Sequence, residues 1–178
     1  MPNYRRATEG SSYFFTVVTH QRQRFLLDED VRQALRAAIE QVRTIAPFRI
    51  DAFVLLPDHL HCIWTLPDGD TDYGMRWRLI KTFVTQACRH RVENPEYLSQ
   101  RRASKGQSTL WQNRFWEHRL RDEADYARHV DYIHWNPVKH GFADRAMDWP
   151  YSSFHRFARN GIYPMDWGGD GVEGDLGE

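Results

Sequence analysis

The stretch LLPDHLHCIW, residues 55–64, sets two imidazoles one leucine apart inside an otherwise apolar run. In a β-strand, side chains i and i+2 share a face. A strand here therefore points His59 and His61 one way and Leu60, Cys62 and Trp64 the other. Imidazole binds several divalent metals, but two ligands are too few, so a third has to come from elsewhere in the chain. The plainer alternative is a pair of histidines on a wet strand face.

The segment DEADYARHVDYIHW offers partners. On a helix turning about 100° per residue, Tyr126, Val130 and Ile133 share an apolar stripe, and His129 falls at its polar edge. Tyr132 lies roughly 100° off that stripe, and Asn136 lies only about 40° from Tyr132. Bland roles exist for both: a half-buried boundary tyrosine, and a helix cap before Pro137. Taken together, the residues suit phosphoryl transfer. A metal on two histidines polarises a scissile phosphate, and a tyrosine hydroxyl attacks phosphorus to give a covalent phosphotyrosine. A carboxamide oxygen from Asn136 suits a hard cation such as Mg²⁺ or Mn²⁺. Such chemistry depends mostly on charge neutralisation and in-line positioning.

The elements that must position these groups follow from periodicity. SYFFTVVTH, beginning at Ser12, is rich in β-branched and aromatic residues and predicts a strand. Val31, Leu35, Ala38, Ile39, Val42 and Ile45 recur at helical spacing from about Asp28 to before Pro47, with Arg32, Arg36 and Arg43 interspersed. FRIDAFVLL and HLHCIWTL, joined at Pro57-Asp58, predict a hairpin. A second helix runs from Met75 to Val92, ended before Pro95. NPEYLSQRRASKGQS reads as a polar, basic loop, LWQNRFWEHRL as a weak strand, and a third helix stops at Asn136-Pro137. The first six elements form a βαββαβ order, the split pattern of a ferredoxin-like sandwich. The expected class is α+β with an antiparallel sheet and an additional C-terminal helix bearing the tyrosine. Residues 1–163 are expected to form a single domain, and 164–178 an acidic, Gly-rich, disordered tail.

Equal numbers of basic and acidic residues, 24 each, hide an uneven layout. PMDWGGDGVEGDLGE, residues 164–178, holds five acids and no Lys or Arg. From Asp72 to Asp122, both included, there are eleven basic and five acidic residues. A basic body suggests a polyanion partner, although a solvated surface gives the same count. Trp111, Arg114, Trp116, His118, Arg119 and Arg121 interleave aromatic and basic groups, as strand-binding surfaces do. The rival reading puts Trp111, Phe115 and Leu120 in the core. Arg5 and Arg6 sit on an N-terminal arm of the kind that reaches a groove, and Lys81 and Lys139 are phosphate candidates. Cys62 and Cys88 fit no zinc spacing and read as buried thiols. No apolar run reaches membrane-spanning length, and a cytoplasmic protein with no membrane partner is expected.

These motifs resemble a known family. HLH is similar to the HUH motif, and YIHWNPVKHG resembles the tyrosine-helix signature of single-tyrosine (Y1) transposases. The likeness is greatest to the REP-associated tyrosine transposases. It is carried by NYRRA, SYFFTVVTHQR, FLLDED, LLPDHLHCIWTLP, LWQNRFWEHRLRDEADYARHVDYIHWNPVKHG and WPYSSFHRF, spanning Asn3 to Phe157. The resemblance implies a ferredoxin-like fold and cleavage and rejoining of single-stranded DNA through a 5′-phosphotyrosine. It makes Tyr132 the nucleophile and His59 and His61 metal ligands. Related insertion-sequence enzymes carry Gln where this chain has Asn136, so direct ligation by this shorter side chain stands beside a water-bridged alternative. The implied substrate is a hairpin-forming repetitive extragenic palindrome, and the implied assembly is a monomer, with a homodimer as the alternative. Two other activities fit the same residues: a domesticated protein that binds hairpin DNA or RNA without cutting it, and a water-using phosphoesterase.

Overall fold

The structure, a computed structural model, describes residues 10–92 and 94–168. Four strands, β1 (Ser11–Val18), β2 (Arg49–Leu55), β3 (His59–Leu66) and β4 (Trp116–Arg119), form one antiparallel sheet in the order β2-β3-β1-β4. The helices are α1 (Glu29–Ile45), α2 (Tyr73–Val92), α3 (Gln100–Ser104), α4 (Glu123–Lys139) and α5 (Phe154–Arg159). This is the expected α+β sandwich.

Alternation along the strands divides the core in two. Tyr13, Phe15 and Val17 of β1 join Leu60, Cys62 and Trp64 of β3 on one face. There α1 buries Val31, Leu35, Ala38 and Val42, and α2 buries Trp77, Ile80, Val84 and Cys88, both at helical spacing. Trp64 stacks on Trp77 with ring centres 4.2 Å apart. On the opposite face Phe14, Ala52, Val54 and Ile63 meet Tyr126, Val130, Tyr132 and Ile133 of α4, and Phe154 and Phe157 of α5. The sheet is thus covered on both sides, and His59 and His61 lie beneath α4.

Several elements depart from the sequence-based expectations. α4 does not stop at Asn136 but runs through Pro137 to Lys139. Proline removes one N–H close to the helix end, where little ladder remains to disrupt. Beyond it, Phe142 N–H bonds Pro137 C=O and Gly141 N–H bonds Val138 C=O, at 2.8 and 2.9 Å. Gly141 has φ +69°. These two bonds around a left-handed glycine make a Schellman cap, so His140-Gly141 ends the helix rather than Asn136. The basic loop contains the short α3, capped by Ser99, and the weak strand is regular only over Trp116–Arg119. Trp167 packs on Tyr163, ring centres 4.4 Å apart. Arg5, Arg6 and the acidic segment beyond Gly168 lie outside the described residues.

Candidate active site

His59 and His61 sit on β3 with ring centres 4.9 Å apart, each essentially buried. What stands behind each ring orients it, and a carboxylate behind His59 also fixes the tautomer. The His59 Nδ1–H donates to the Asp58 carboxylate at 2.6 Å. Asp58 is held below the usual carboxylate range: burial works against its charge, but the bond to His59 and the nearby Arg22 outweigh it. Arg22 lies 3.6 Å from the carboxylate. His61 Nδ1 is 2.9 Å from Thr16 Oγ1, its register partner on β1. Both Nε2 atoms are buried with no hydrogen-bond partner among the described residues, and so is Oδ1 of Asn136. A buried polar atom left this way calls for an explanation. Two imidazole nitrogens and a carboxamide oxygen are a donor set that a divalent cation satisfies.

α4 delivers the remaining groups. Asp122 caps its start by accepting from Asp125 N–H at 2.8 Å, and the apolar stripe through Tyr126, Val130 and Ile133 seats it on the sheet. Tyr132 then lies with its ring centre 5.3 Å from His61 and 6.0 Å from Phe14. Asn136, one turn on, is buried on the same helix. Lys139, two turns on, donates to the Tyr132 hydroxyl at 3.4 Å, and His140 lies 5.2 Å from the His59 ring. The fold brings His59, His61, Tyr132, Asn136 and Lys139 to one place.

The other candidates are scattered. Lys81 is on the α2 face, where it donates to Gln112 C=O at 3.0 Å. Trp111 is core, 6% exposed. Arg114 is exposed beyond it, and Arg119 reaches Ser11 Oγ at the sheet edge. His118 and Arg121 converge instead on Asp125, at 2.9 and 3.4 Å. His118, Asp125 and His129 form a group with metal-ligand geometry. Its carboxylate already accepts from Arg121 N–H, His118 and Arg128. Burial opposes that charge, but these donors prevail and hold the carboxyl well below the usual range. Two guanidiniums on the same carboxylate oppose a further cation, so the cluster reads as a clamp between β4 and α4.

Sequence reasoning missed Asp58, Thr16, Arg22 and His140. The first had a visible signal, a carboxylate directly before the first histidine; Thr16 is found only through strand register.

No protein-family model matches the chain. A REP-associated tyrosine transposase of Escherichia coli K12 is 46% identical over 179 residues, covering 100% of this chain and 98% of that protein. A Haemophilus influenzae relative is 42% identical over 180 residues, covering 99% and 100%. A solved structure of a REP-associated tyrosine transposase bound to a REP hairpin matches with a TM-score of 0.78 and 45% identity, covering 100% of this chain and 98% of that one. The class that sheet and likeness define is a transposase, an enzyme. Within it, the chain belongs to the REP-associated tyrosine transposases.

Proposed function

We propose that this transposase cuts and rejoins single-stranded DNA beside a REP hairpin through a 5′-phosphotyrosine on Tyr132. The observation that carries the reading is the convergence of Tyr132 on His61, at 5.3 Å between rings, from an element some seventy residues away. A solved relative bound to a REP hairpin supports the choice of DNA.

The chain's own groups have definite tasks. The Tyr132 oxygen attacks phosphorus; the bond to the 3′ oxygen breaks, and that oxygen leaves as a hydroxyl after gaining a proton, while the phenol's proton goes to solvent. Lys139, already a donor to this hydroxyl, stabilises negative charge developing on the tyrosine oxygen and the phosphate. Asp58 and Thr16 hold the Nδ1 side of the two imidazoles, which leaves each buried Nε2 as the atom to offer a cation. His59, His61 and Asn136 would hold Mg²⁺ or Mn²⁺, which supplies charge neutralisation at the phosphate. Tyr132 is 1% exposed, so the scissile phosphate has to displace part of the cover to reach it.

The test is a denaturing gel with labelled hairpin substrate and Mg²⁺ or Mn²⁺. The wild type forms a covalent protein–DNA adduct and Tyr132→Phe forms none. Free 5′-phosphate product without an adduct would indicate water as nucleophile, and binding without any cleavage a non-cleaving protein.

A further inference from the structure

We propose, on the reading of His59 as a metal ligand, that Arg22 is a positioning residue for that site. It braces the Asp58 carboxylate and, through it, the His59 imidazole. Gln21 and Arg22 have φ of +56° and +52°, and among the described residues they are the only non-glycines with positive φ. An L-residue enters this region at a steric cost. Two in succession persist only where their surroundings over-determine them, as happens around functional sites.

The surroundings are two loops. One is the hairpin corner between β2 and β3. There Thr19 N–H bonds Asp58 C=O at 2.9 Å, and Leu26 N–H bonds Pro57 C=O at 3.0 Å. Thr19 Oγ1 lies 2.9 Å from the same Asp58 carbonyl and 2.8 Å from Gln23 C=O, sharing its proton between them. The other loop is residues 109–110. His20 N–H bonds Leu110 C=O at 2.9 Å, and the Gln23 carboxamide donates to Thr109 C=O at 2.9 Å and to His20 C=O at 3.0 Å. With Thr19 and Gln23 fixed in this way, the chain between them doubles back through the left-handed pair.

That turn sets Arg22 3.6 Å from Oδ2 of Asp58, with side chains 45% and 17% exposed. A pair this open adds little stability; what it supplies is direction. Oδ1 of the same carboxylate accepts from His59 at 2.6 Å. Each oxygen therefore has its own partner, and the carboxylate is kept from rotating away from the ring. His61 has no need of such a brace, because Thr16 behind it sits in the β1/β3 ladder. Asp58 stands outside any strand, on the corner between Leu55 and His59. The same segment reaches the other flank of His59 as well. Arg24 lies 5.4 Å from the Phe142 ring centre, Phe142 stacks on His140, and His140 is 5.2 Å from the His59 ring.

Two measurements on the full, DNA-free chain test this. The first is the downfield Nδ1–H proton resonance of His59 in metal-free protein, assigned by its loss in His59→Gln. Arg22→Met keeps the side chain's bulk and drops its charge. It moves this resonance and speeds its exchange with water, and Arg22→Lys restores both. The second is Mn²⁺ binding, read by electron paramagnetic resonance of the free ion. Arg22→Met weakens it about fivefold, less than loss of the carboxylate that contacts the ring. Arg22→Lys costs about twofold or less, because the contact is a point charge and not a planar fork. In an Asp58→Asn background Arg22→Met has no further effect, since it acts through that carboxylate. The turn itself is tested at Gln21, whose side chain is exposed. Gln21→Gly, which accepts the left-handed backbone, binds Mn²⁺ like the wild type. Gln21→Val, which resists it, binds more weakly. An unmoved His59 resonance or wild-type Mn²⁺ affinity in Arg22→Met overturns Arg22 as a positioning residue, as do losses from Arg22→Met and Asp58→Asn that simply add. An Arg22→Met protein that loses only hairpin binding overturns it too, and makes Arg22 a direct DNA contact. If His59→Gln binds Mn²⁺ as well as the wild type does, the metal reading falls, while the His59 resonance still decides whether Arg22 braces the ring.

Discussion

Asp58 and Thr16 do for the two histidines what the sequence pattern alone could not display. Strand alternation was enough to point His59 and His61 to one face, because Leu60, Cys62 and Trp64 had to be buried on the other. Alternation says nothing of tautomer. The ionised Asp58 accepts only, so His59 must donate from Nδ1 and keep its lone pair on Nε2. Removing that charge loosens both the orientation and the basicity of the ring. Asp58→Asn should therefore weaken Mn²⁺ binding roughly 10- to 100-fold, read by titration of the DNA-free protein. Thr16→Val, which removes a neutral hydroxyl behind His61, should cost less. An Asp58→Asn protein with undiminished Mn²⁺ affinity would take His59 out of the ligand set. The signal for Asp58 stood in the sequence beside His59. That for Thr16 did not, because β1 and β3 meet across 45 residues.

α4 works on two faces at once, and only one of them was legible. Its Tyr132 and Asn136 edge could be drawn on a helical wheel. Its His134 edge could not, since the partners lie in the C-terminal segment. Tyr163 donates its hydroxyl proton to Asp131 at 2.8 Å, so it accepts from His134 Nδ1 at 3.0 Å. The other nitrogen then accepts from Ser153 Oγ at 2.7 Å, and that oxygen accepts from Phe53 N–H at 2.9 Å. Every donor has one acceptor only if His134 is neutral. Burial, with Arg156 and His155 nearby, pushes its pKa down to about 3. The unfolded chain protonates this side chain below about pH 6.5, so its contribution is full above that value and is lost as pH falls toward the folded pKa. At about 1.4 kcal/mol per unit, the fold should lose about 2 kcal/mol between pH 7 and pH 5 from this group alone. Thermal melts across that window should show His134→Gln with a flatter pH dependence than the wild type, even if less stable at pH 7. Parallel curves for the two proteins would refute the neutral histidine. Asp125, held below the carboxylate range, contributes in the same direction but only at more acid pH. The same network explains why the helix tolerates Pro137: tertiary partners on both faces hold a stretch that local propensity alone would have ended.

For the whole molecule, the question is what leaves the sheet's two edges unavailable. An uncovered edge strand invites pairing with another copy. On the β2 side, Leu55 N–H bonds Tyr151 C=O at 2.9 Å and Ser153 N–H bonds Phe53 C=O at 2.8 Å, while Ser152 bridges Val54. The WPYSS segment, recognisable as a signature but silent about its role, is thus a strap along that edge. On the other side β4 is four residues long and carries Glu117 and Arg119, the short charged edge that resists extension. The remaining described surface offers little to a second copy, with Ile45, Tyr97, Leu98, Trp116 and Met165 its exposed large apolar side chains, spread over separate elements. Tyr132, His61 and Lys139 of the candidate site meet within one chain. Light scattering at tens of micromolar should accordingly give the 21.2 kDa mass of a single chain when free, and that mass plus the mass of one hairpin when bound. Twice that mass in the absence of DNA would mean that the strap does not close the sheet, and the tyrosine site would then have to be re-examined for a contribution from a second α4.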